Sequence, residues 1–228
     1  MCHQGGVYGV IPVKRLRDSK SRLSSILNPN ERATLTLLML EDVVTNIQSS
    51  ELVHRVLIVT PDEHVTRFAK ELGVESLLSN SDDLNLDLEN AVAWCSRSGA
   101  ESTLIVLADL PTLSNEDIRN IIEPTFFNSA AVIAPSKDGG TNALFLHPCG
   151  LIKPSFGVGS FERHMLQLGS VNAFVRVYRS MSISLDIDTH EDVQELLQKK
   201  NSFRHPPKSL IYLEKLTSKR LSGPAKEG

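Results

Sequence analysis

The chain has 228 residues, of which 41% are hydrophobic and 22% charged, an ordinary balance for a globular protein. Its formal net charge of −3 argues against a nucleic-acid-binding protein, since such domains are usually basic. No apolar run reaches the roughly 20 residues that a membrane-spanning helix needs, and the first residues lack the pattern of a signal peptide. Cys2, Cys95 and Cys149 form no CxxC pair, which suits a reducing compartment. We therefore expect a soluble cytoplasmic protein.

Short apolar runs alternate along the chain with helical patterns. An apolar run at residues 7–13 predicts the first strand, and Asn28, Pro29 and Glu31 give the start signals of a first helix. The further predicted elements are a strand at 53–60, a helix at 62–72, a weaker strand at 74–78, a helix at 86–98, a strand at 103–108, a helix at 114–122, strands at 130–135 and 143–147, weaker strands at 173–178 and 182–187, and a helix at 189–199. This alternation predicts an α/β fold with a mostly parallel sheet.

Five cations follow the first predicted strand within nine positions: Lys14, Arg15, Arg17, Lys20 and Arg22. Ligands of parallel sheets bind at the carboxyl ends of the strands. A loop with this charge at that place can neutralise a triphosphate. It contains no glycine, so it is not a loop that cradles phosphates with backbone amides. The alternative is a solvated basic loop, but the position after the first strand favours phosphate binding.

Carboxylates follow two of the predicted strands. Asp109 comes directly after the strand at 103–108. Asp186 and Asp188 are two residues apart, so in a strand both would point to the same face. Magnesium at phosphate sites usually takes one or two carboxylates, with phosphate oxygens and water as further ligands. The alternative role for Asp188 is to cap the following helix, for which Thr189 competes.

Two turns contain pairs of glycines. Gly139-Gly140 precedes Thr141 between two predicted strands and by itself is typical of an ordinary hairpin. Gly157-Val-Gly159-Ser160 precedes a helix; it is incomplete as a dinucleotide fingerprint, but a helix start with Ser160 suits an anion. We expect His164, about one helical turn further on, to be a partly buried histidine on a helix face rather than a catalytic base. No HExxH motif or Ser-His-Asp order supports a hydrolase.

The end of the chain differs in composition from the rest. From Lys199 onward there are eight Lys or Arg and two Glu. We divide the chain here into a domain of residues 1–199 and a basic C-terminal extension of residues 200–228. The extension is either a solvated tail or a segment that docks on an acidic partner surface, such as a second subunit. Because its basic neighbours cannot bury the apolar residues 210–213 and Leu216, we expect a homodimer.

Six segments of the chain together carry a family pattern. They are Ile11-Pro-Val-Lys14 with Ser19-Lys-Ser-Arg-Leu23, Asp83-Leu-Asn85, Ala108-Asp-Leu-Pro111, Gly139-Gly-Thr-Asn-Ala-Leu144, Phe156-Gly-Val-Gly-Ser-Phe161, and Leu185-Asp-Ile-Asp-Thr189. They resemble the 2-phospho-L-lactate guanylyltransferases of coenzyme F420 biosynthesis, with their bacterial phosphoenolpyruvate relatives. The Gly-Gly-Thr-Asn-Ala-Leu and Lys-Ser-Arg-Leu elements are fairly specific to that family. The acidic elements are shared with many nucleotidyltransferases of the same fold.

The resemblance implies a fold, an activity and part of a site. The fold would be a Rossmann-like α/β domain of the nucleotide-diphospho-sugar-transferase type, residues 1–199 forming the nucleotidyltransferase domain. The activity would be transfer of GMP from GTP to a small phosphorylated acid. The phosphoacid would contact Thr141, Gly157 and Ser160, and the metal, Mg²⁺, would be held by Asp109 and Asp188. Whether Asp186 joins the metal site stays open.

For such a reaction, Lys14, Lys20 and Arg22 are expected to bind the triphosphate and stabilise the departing pyrophosphate, and Asn85 to bind the nucleotide. No protein base is required, because a phosphate monoester is already mostly dianionic at pH 7. Two alternatives stay open: another nucleotidyltransferase of the same fold, acting on a molybdopterin or a sugar phosphate, and a non-catalytic nucleotide-binding regulatory module. Phospholactate, phosphoenolpyruvate and phosphoglycerate are all possible acceptors.

Overall fold

A seven-stranded sheet runs through the computed structural model, which describes residues 6–122 and 128–221, with side chains as far as residue 218. Its strands are β1 (Val7–Pro12), β2 (Val53–Thr60), β3 (Glu75–Leu78), β4 (Ser102–Val106), β5 (Ala130–Pro135), β6 (Thr141–His147) and β7 (Phe174–Val177). They lie in the order β3-β2-β1-β4-β6-β5-β7. Only β6 among them pairs antiparallel with its neighbours, β4 and β5. The predicted mixed, mostly parallel α/β sheet is confirmed.

Seven α-helices accompany the sheet in the described residues. They are α1 (Pro29–Ser49), α2 (Glu63–Glu71), α3 (Leu84–Arg97), α4 (Asn115–Ile122), α5 (Ser160–Ser170), α6 (His190–Gln198) and α7 (Lys208–Leu221). The predicted start of α1 is confirmed, because Asn28 and Glu31 form a reciprocal capping box. None of the helices in this part of the chain combines the length and the apolar character that crossing a bilayer requires.

Each face of the sheet packs against its own set of helices. On β1, Ile11 belongs to one apolar cluster together with residues of α1, α2 and α4, whereas Val10 belongs to a second cluster with residues of α3 and α5. Successive residues of a strand point to opposite faces, so a strand covered on both sides must be apolar at every position. This explains why β1, β4 and β5 appear in the sequence as continuous apolar runs rather than as alternating ones.

A third apolar cluster lies beside the sheet and includes the C-terminal helix. Leu210 and Leu213 of α7 are buried there with Leu35 and Met39 of α1 and with Ile187. The basic neighbours of Leu210 and Leu213 indeed do not bury them, but α1 and α6 do, whereas Ile211 stays exposed. The homodimer inferred from these residues stays a prediction, as does the domain boundary after residue 199.

The strand predicted at residues 182–187 is also wrong, since this segment forms no strand in the structure. Two of its carbonyl oxygens are bound by side chains instead of by a neighbouring strand. Thr112 Oγ1 donates to the carbonyl of Ser182 at 2.6 Å, and Asn142 Nδ2 to that of Ile183 at 2.8 Å. The alternation of burial nevertheless persists up to Asp188. The acidic residues and the buried apolar residues of the segment consequently face opposite ways.

A buried carboxylate fastens α7 to α1. Asp42 Oδ1 accepts a hydrogen bond from the backbone N–H of Lys208 at 2.7 Å. Asp42 Oδ2 accepts from the backbone N–H of Ser209 at 3.0 Å and from the Ser209 hydroxyl at 2.6 Å. Two unpaired amides at the start of α7 are thus satisfied by a side chain 166 residues earlier in the sequence.

We expect Asp42→Ala to lower the free energy of unfolding by about 2–3 kcal/mol, because it leaves buried donors of α7 without acceptors. Glu41→Gln is the matched control, since Glu41 pairs with the exposed Lys208 ammonium and an exposed ion pair contributes little to stability. Urea unfolding of the two variants and the wild type measures both effects. Equal losses for the two variants would contradict the docking role of Asp42.

Candidate active site at the carboxyl edge of the sheet

A cleft of about 480 Å³ opens at the edge of the sheet where β1 and β4 end. Because β6 runs opposite to its neighbours, its first residue, Thr141, lies at this same edge. The residues that line the cleft include seven of the nine predicted site residues: Lys14, Lys20, Arg22, Asp109, Thr141, Gly157 and Asp188. Asn85 and Ser160 do not line it, but each is hydrogen-bonded to a residue that does. One antiparallel strand therefore brings Thr141, one of the three predicted phosphoacid residues, to the edge where the predicted metal residues lie.

Lys20 forms an ion pair with both carboxylates of the predicted metal site. Its ammonium lies 2.6 Å from Asp109 Oδ2 and 2.7 Å from Asp188 Oδ1, and its side chain is only 7% exposed. Burial acts to lower the pKa of Lys20, but the charges and hydrogen bonds of Asp109 and Asp188 outweigh burial and raise it above its usual value. The ammonium therefore stays charged across the physiological pH range.

The backbone at Lys20 is in the left-handed region, with φ of 50°. A residue with a side chain seldom adopts this conformation, and holding it there costs on the order of 1–3 kcal/mol. The turn is closed by the backbone N–H of Leu23, which donates to the carbonyl of Lys20 at 2.9 Å. Leu23 itself is fully buried in the third apolar cluster. Packing of this leucine thus helps to hold the strained residue that presents the ammonium.

The competition between Asp188 and Thr189 for the start of α6 is resolved in favour of Thr189. Thr189 and Asp192 form the capping box of that helix. Asp188 is left free to pair with Lys20. Burial acts to raise the pKa of Asp188, but the nearby Lys20, with the charges of Arg22 and Lys14, holds it below the usual range. Asp188 is therefore ionised at neutral pH.

Two further observations describe the acidic side of the cleft. Asp109 Oδ1 is buried and has no hydrogen-bond partner among the described residues. Asp186 also lines the cleft; burial, together with the charges of Asp109 and Asp188, raises its pKa to about 6. Within residues 6–122 and 128–221, no group of three or more His, Cys, Asp or Glu side chains is arranged to hold a metal ion. A cation here would need ligands from a substrate or from water as well.

The cation loop divides into two parts. Lys14 and Arg22 are exposed residues of the cleft that contains Lys20. Arg15 instead bonds to the carbonyl of Pro61 at 2.8 Å and to Asp82 at 3.3 Å. It lines a smaller adjoining cavity of about 280 Å³, together with Arg17, Leu84 and Asp87. Three of the five cations thus line the cleft that contains the acidic pair, and one of them, Lys14, also lines the smaller cavity with Arg15 and Arg17.

The opposite wall of the cleft is held by a buried hydrogen-bonded network. The Ser160 hydroxyl donates to Thr141 Oγ1 at 3.0 Å, and His164 Nδ1 lies 3.1 Å from the same oxygen. The backbone N–H of Ser155 donates to His164 Nε2 at 2.9 Å. His164 is fully buried, whereas the sequence predicts a partly buried residue on a helix face. At Gly157, φ of 112° is a conformation that glycine adopts without strain, and it shapes the turn before α5.

Sequence reasoning missed how Asn85 is used. Its Nδ2 donates to the carbonyl of Phe156 at 3.1 Å, and its Oδ1 accepts from the backbone N–H of Phe156 at 2.6 Å. The side chain thereby joins the start of α3 to the turn that contains Gly157, across 71 residues of sequence. No local pattern signals such a contact. The nucleotide-binding role of Asn85 stays a prediction.

Residues 7–218 match the protein family described as guanylyl transferase CofC like. The chain belongs to this family. The match extends beyond residue 199 and takes in most of α7. The buried side of that helix is therefore within the span of the family and is not an addition to it.

Relatives in the CofC-like family are similar to the chain over most of its length. The phosphoenolpyruvate guanylyltransferase of Sphaerobacter thermophilus is 38% identical over 82% of this chain and 90% of its own. The 2-phospho-L-lactate guanylyltransferase of Methanosphaera stadtmanae is 33% identical over 82% of each chain. A solved structure described as a nucleotide-diphospho-sugar transferase from Desulfovibrio desulfuricans covers 94% of this chain and 96% of its own, with a TM-score of 0.78 and 16% identity. That last likeness supports the fold alone.

The buried His164 makes stability depend on pH below neutrality. Burial, and next the charge of Arg163, lowers the pKa of His164 from 6.5 to about 4. The unfolded chain therefore binds the extra proton between these two values. The contribution of the neutral ring is complete above pH 6.5 and is lost as the pH falls toward 4. We expect the free energy of unfolding to fall by about 1–3 kcal/mol more in the wild type than in His164→Gln between pH 7 and pH 4.

Denaturant titrations of both proteins at matched pH values measure this difference. The comparison removes the carboxylates that titrate in both proteins over the same range. Parallel pH curves would show that His164 does not carry the effect.

Proposed function

We propose that this chain transfers the GMP moiety of GTP to 2-phospho-L-lactate or phosphoenolpyruvate with release of pyrophosphate, in coenzyme F420 biosynthesis. The observation that carries the proposal is the cleft of this CofC-like protein, in which Lys20 lies between Asp109 and Asp188 and faces a wall that contains Thr141. The names of the relatives supply the two acceptors. Both are small acids with a phosphate monoester.

In this reaction the protein side chains need only position the two substrates and neutralise charge. The acceptor phosphate is already a nucleophilic dianion at pH 7, so no side chain has to remove a proton from it. Lys20 supplies a fixed positive charge, and the exposed Lys14 and Arg22 extend that charge along the cleft. These cations would bind the triphosphate and stabilise the pyrophosphate as it departs. Thr141 and Gly157 would orient the acceptor from the opposite side.

The acidic side of the cleft fits a magnesium ion. Asp109 and Asp188 offer carboxylate oxygens, the ligands that magnesium prefers, and Asp109 Oδ1 is buried without a partner among the described residues. Both carboxylates already pair with the Lys20 ammonium, so they lie close enough together to serve one cationic site. Bound there, magnesium would neutralise charge on the phosphate oxygens. The charges of both carboxylates act on Asp186, but the three side chains are not arranged to hold one metal ion together.

The alternative of a non-catalytic regulatory module is disfavoured by the cleft itself. Regulatory binding of GTP would not require a second wall with Thr141 and Gly157 opposite the acidic pair. A sugar-phosphate or molybdopterin transferase of the same fold is disfavoured by membership of the CofC-like family. The homodimer and the cytoplasmic location remain proposals; sedimentation at micromolar concentration tests the first.

A panel assay tests the proposed reaction directly. With GTP and magnesium, we expect pyrophosphate release with 2-phospho-L-lactate or phosphoenolpyruvate, and none with a sugar phosphate or a molybdopterin. Replacement of GTP by ATP or CTP, and addition of EDTA, serve as controls. Turnover with a sugar phosphate alone would overturn the acceptor class, and GTP binding without turnover on any acceptor would favour the regulatory alternative.

Removal of single cations tests the loop assignment. Lys20→Ala is expected to lower kcat by about 100-fold or more, because it deletes a buried charge beside the reacting phosphates. Arg22→Ala is expected to raise the KM for GTP by about tenfold, in keeping with an exposed phosphate contact. Lys153→Ala, which removes an exposed lysine paired with Glu89, is the control and should leave both constants unchanged. Wild-type kinetics for both loop variants would show that the assignment is wrong.

A further inference from the structure

Three polar side chains, beside the part of the cleft where we place the phosphoacid, form a chain of hydrogen bonds with almost no access to solvent. Thr141 is 2% exposed, and Ser160 and His164 are fully buried. Thr141 begins β6, whereas the other two lie on the first turns of α5. Of the three, only Thr141 lines the cleft. The network therefore has one end from which it can reach a ligand.

The hydrogen bonds fix which nitrogen of His164 carries the proton. The backbone N–H of Ser155 points at Nε2 from 2.9 Å, and a backbone amide can only donate. Nε2 must accept, so in the neutral ring the proton is on Nδ1. Nδ1 then donates to Thr141 Oγ1 at 3.1 Å. Burial supports this state, because it keeps the ring neutral at pH 7.

The hydroxyl oxygen of Thr141 is consequently fully used as an acceptor. A hydroxyl has two acceptor lone pairs and one proton to donate. His164 Nδ1 occupies one of these positions, and the Ser160 hydroxyl, which donates from 3.0 Å, occupies the other. The proton of Thr141 can be directed at neither neighbour, since both present a hydrogen to it. That proton is therefore available for a hydrogen bond to an oxygen of a molecule bound in the cleft.

We propose that His164 and Ser160 are positioning residues which make the Thr141 hydroxyl a donor for an anionic oxygen of the phosphoacid. The proposal rests on the proposed function for the identity of that ligand. The competing explanation is that His164 only fills the core, where its ring meets Phe156 edge-on with centroids 5.1 Å apart. The two explanations differ in what happens when one nitrogen of His164 is removed and the other is kept.

Two substitutions separate the nitrogens. The amide of His164→Asn can replace Nδ1, so it keeps the donor to Thr141 and loses the acceptor for Ser155. His164→Gln reaches the position of Nε2 instead, so it keeps the acceptor and loses the donor. We expect His164→Gln and Ser160→Ala each to raise the KM for the phosphoacid about fivefold, with the KM for GTP unchanged. The asparagine variant should stay within about twofold of the wild type.

The same substitutions made in a Thr141→Val background test whether His164 acts through Thr141. Thr141→Val alone should raise the KM for the phosphoacid about tenfold or more. Adding His164→Gln to this variant should then cause no further increase in that KM. The proposal would be overturned if His164→Gln and His164→Asn raised the KM for the phosphoacid equally. It would also be overturned if His164→Gln had as large an effect in the Thr141→Val background as in the wild type. Thermal unfolding of every variant shows which losses come from stability alone.

Binding measurements keep this test independent of turnover. Calorimetric titration with phosphoenolpyruvate and with 2-phospho-L-lactate, in the presence of magnesium and a non-hydrolysable GTP analogue, follows acceptor affinity directly. Tight binding without turnover would reject the proposed reaction, yet the order of the variants would still decide the role of His164. Absence of binding in the wild type, with either phosphoacid, would overturn the proposed donor as well.

Discussion

The candidate site depends on one buried ionic contact, in which the Lys20 ammonium neutralises two carboxylates that face each other across the edge of the sheet. Without it, Asp109 and Asp188 would lie close together with no counter-charge between them and would repel each other. With the Lys20 ammonium in place, a positive charge lies directly beside the two negative charges of Asp109 and Asp188. Such an arrangement is stable on its own and is also suited to receive a metal ion and a polyphosphate together.

The support for this contact comes mainly from apolar packing. Leu23, shortly after Lys20, and Ile187, directly before Asp188, belong to the same buried cluster. The two sides of the ion pair are therefore held by one patch of core, beside rather than within the sheet. Thr36 contributes from α1 by a hydrogen bond to the Ser19 hydroxyl at 3.0 Å. The geometry of the charges follows from how well these neutral residues pack.

Much of this arrangement could be predicted from the sequence, because its signals are local. Runs that are apolar at every position gave the buried strands, and Asn28 and Thr189 gave helix starts that the structure contains. The contacts of the site are not local: Lys20 meets its two partners across 89 and 168 residues. The direction of β6, which brings Thr141 to the edge, does have a local signal, because Gly139-Gly140 is typical of a hairpin and β5 and β6 pair antiparallel. The segment at 182–187 was mistaken for a strand because period-two burial occurs there without a partner strand.

The third apolar cluster also has a consequence for the order in which the molecule is made. Its members are far apart in the sequence, and Leu23 and Leu35 are translated well before Leu210 and Leu213. On the ribosome, the central sheet can assemble before α7 has emerged, but the core patch beneath Lys20 and Asp188 cannot close until then. The cleft is therefore completed only after α7 has been made, and a chain that stops short of α7 would carry its acidic pair on an unfinished support.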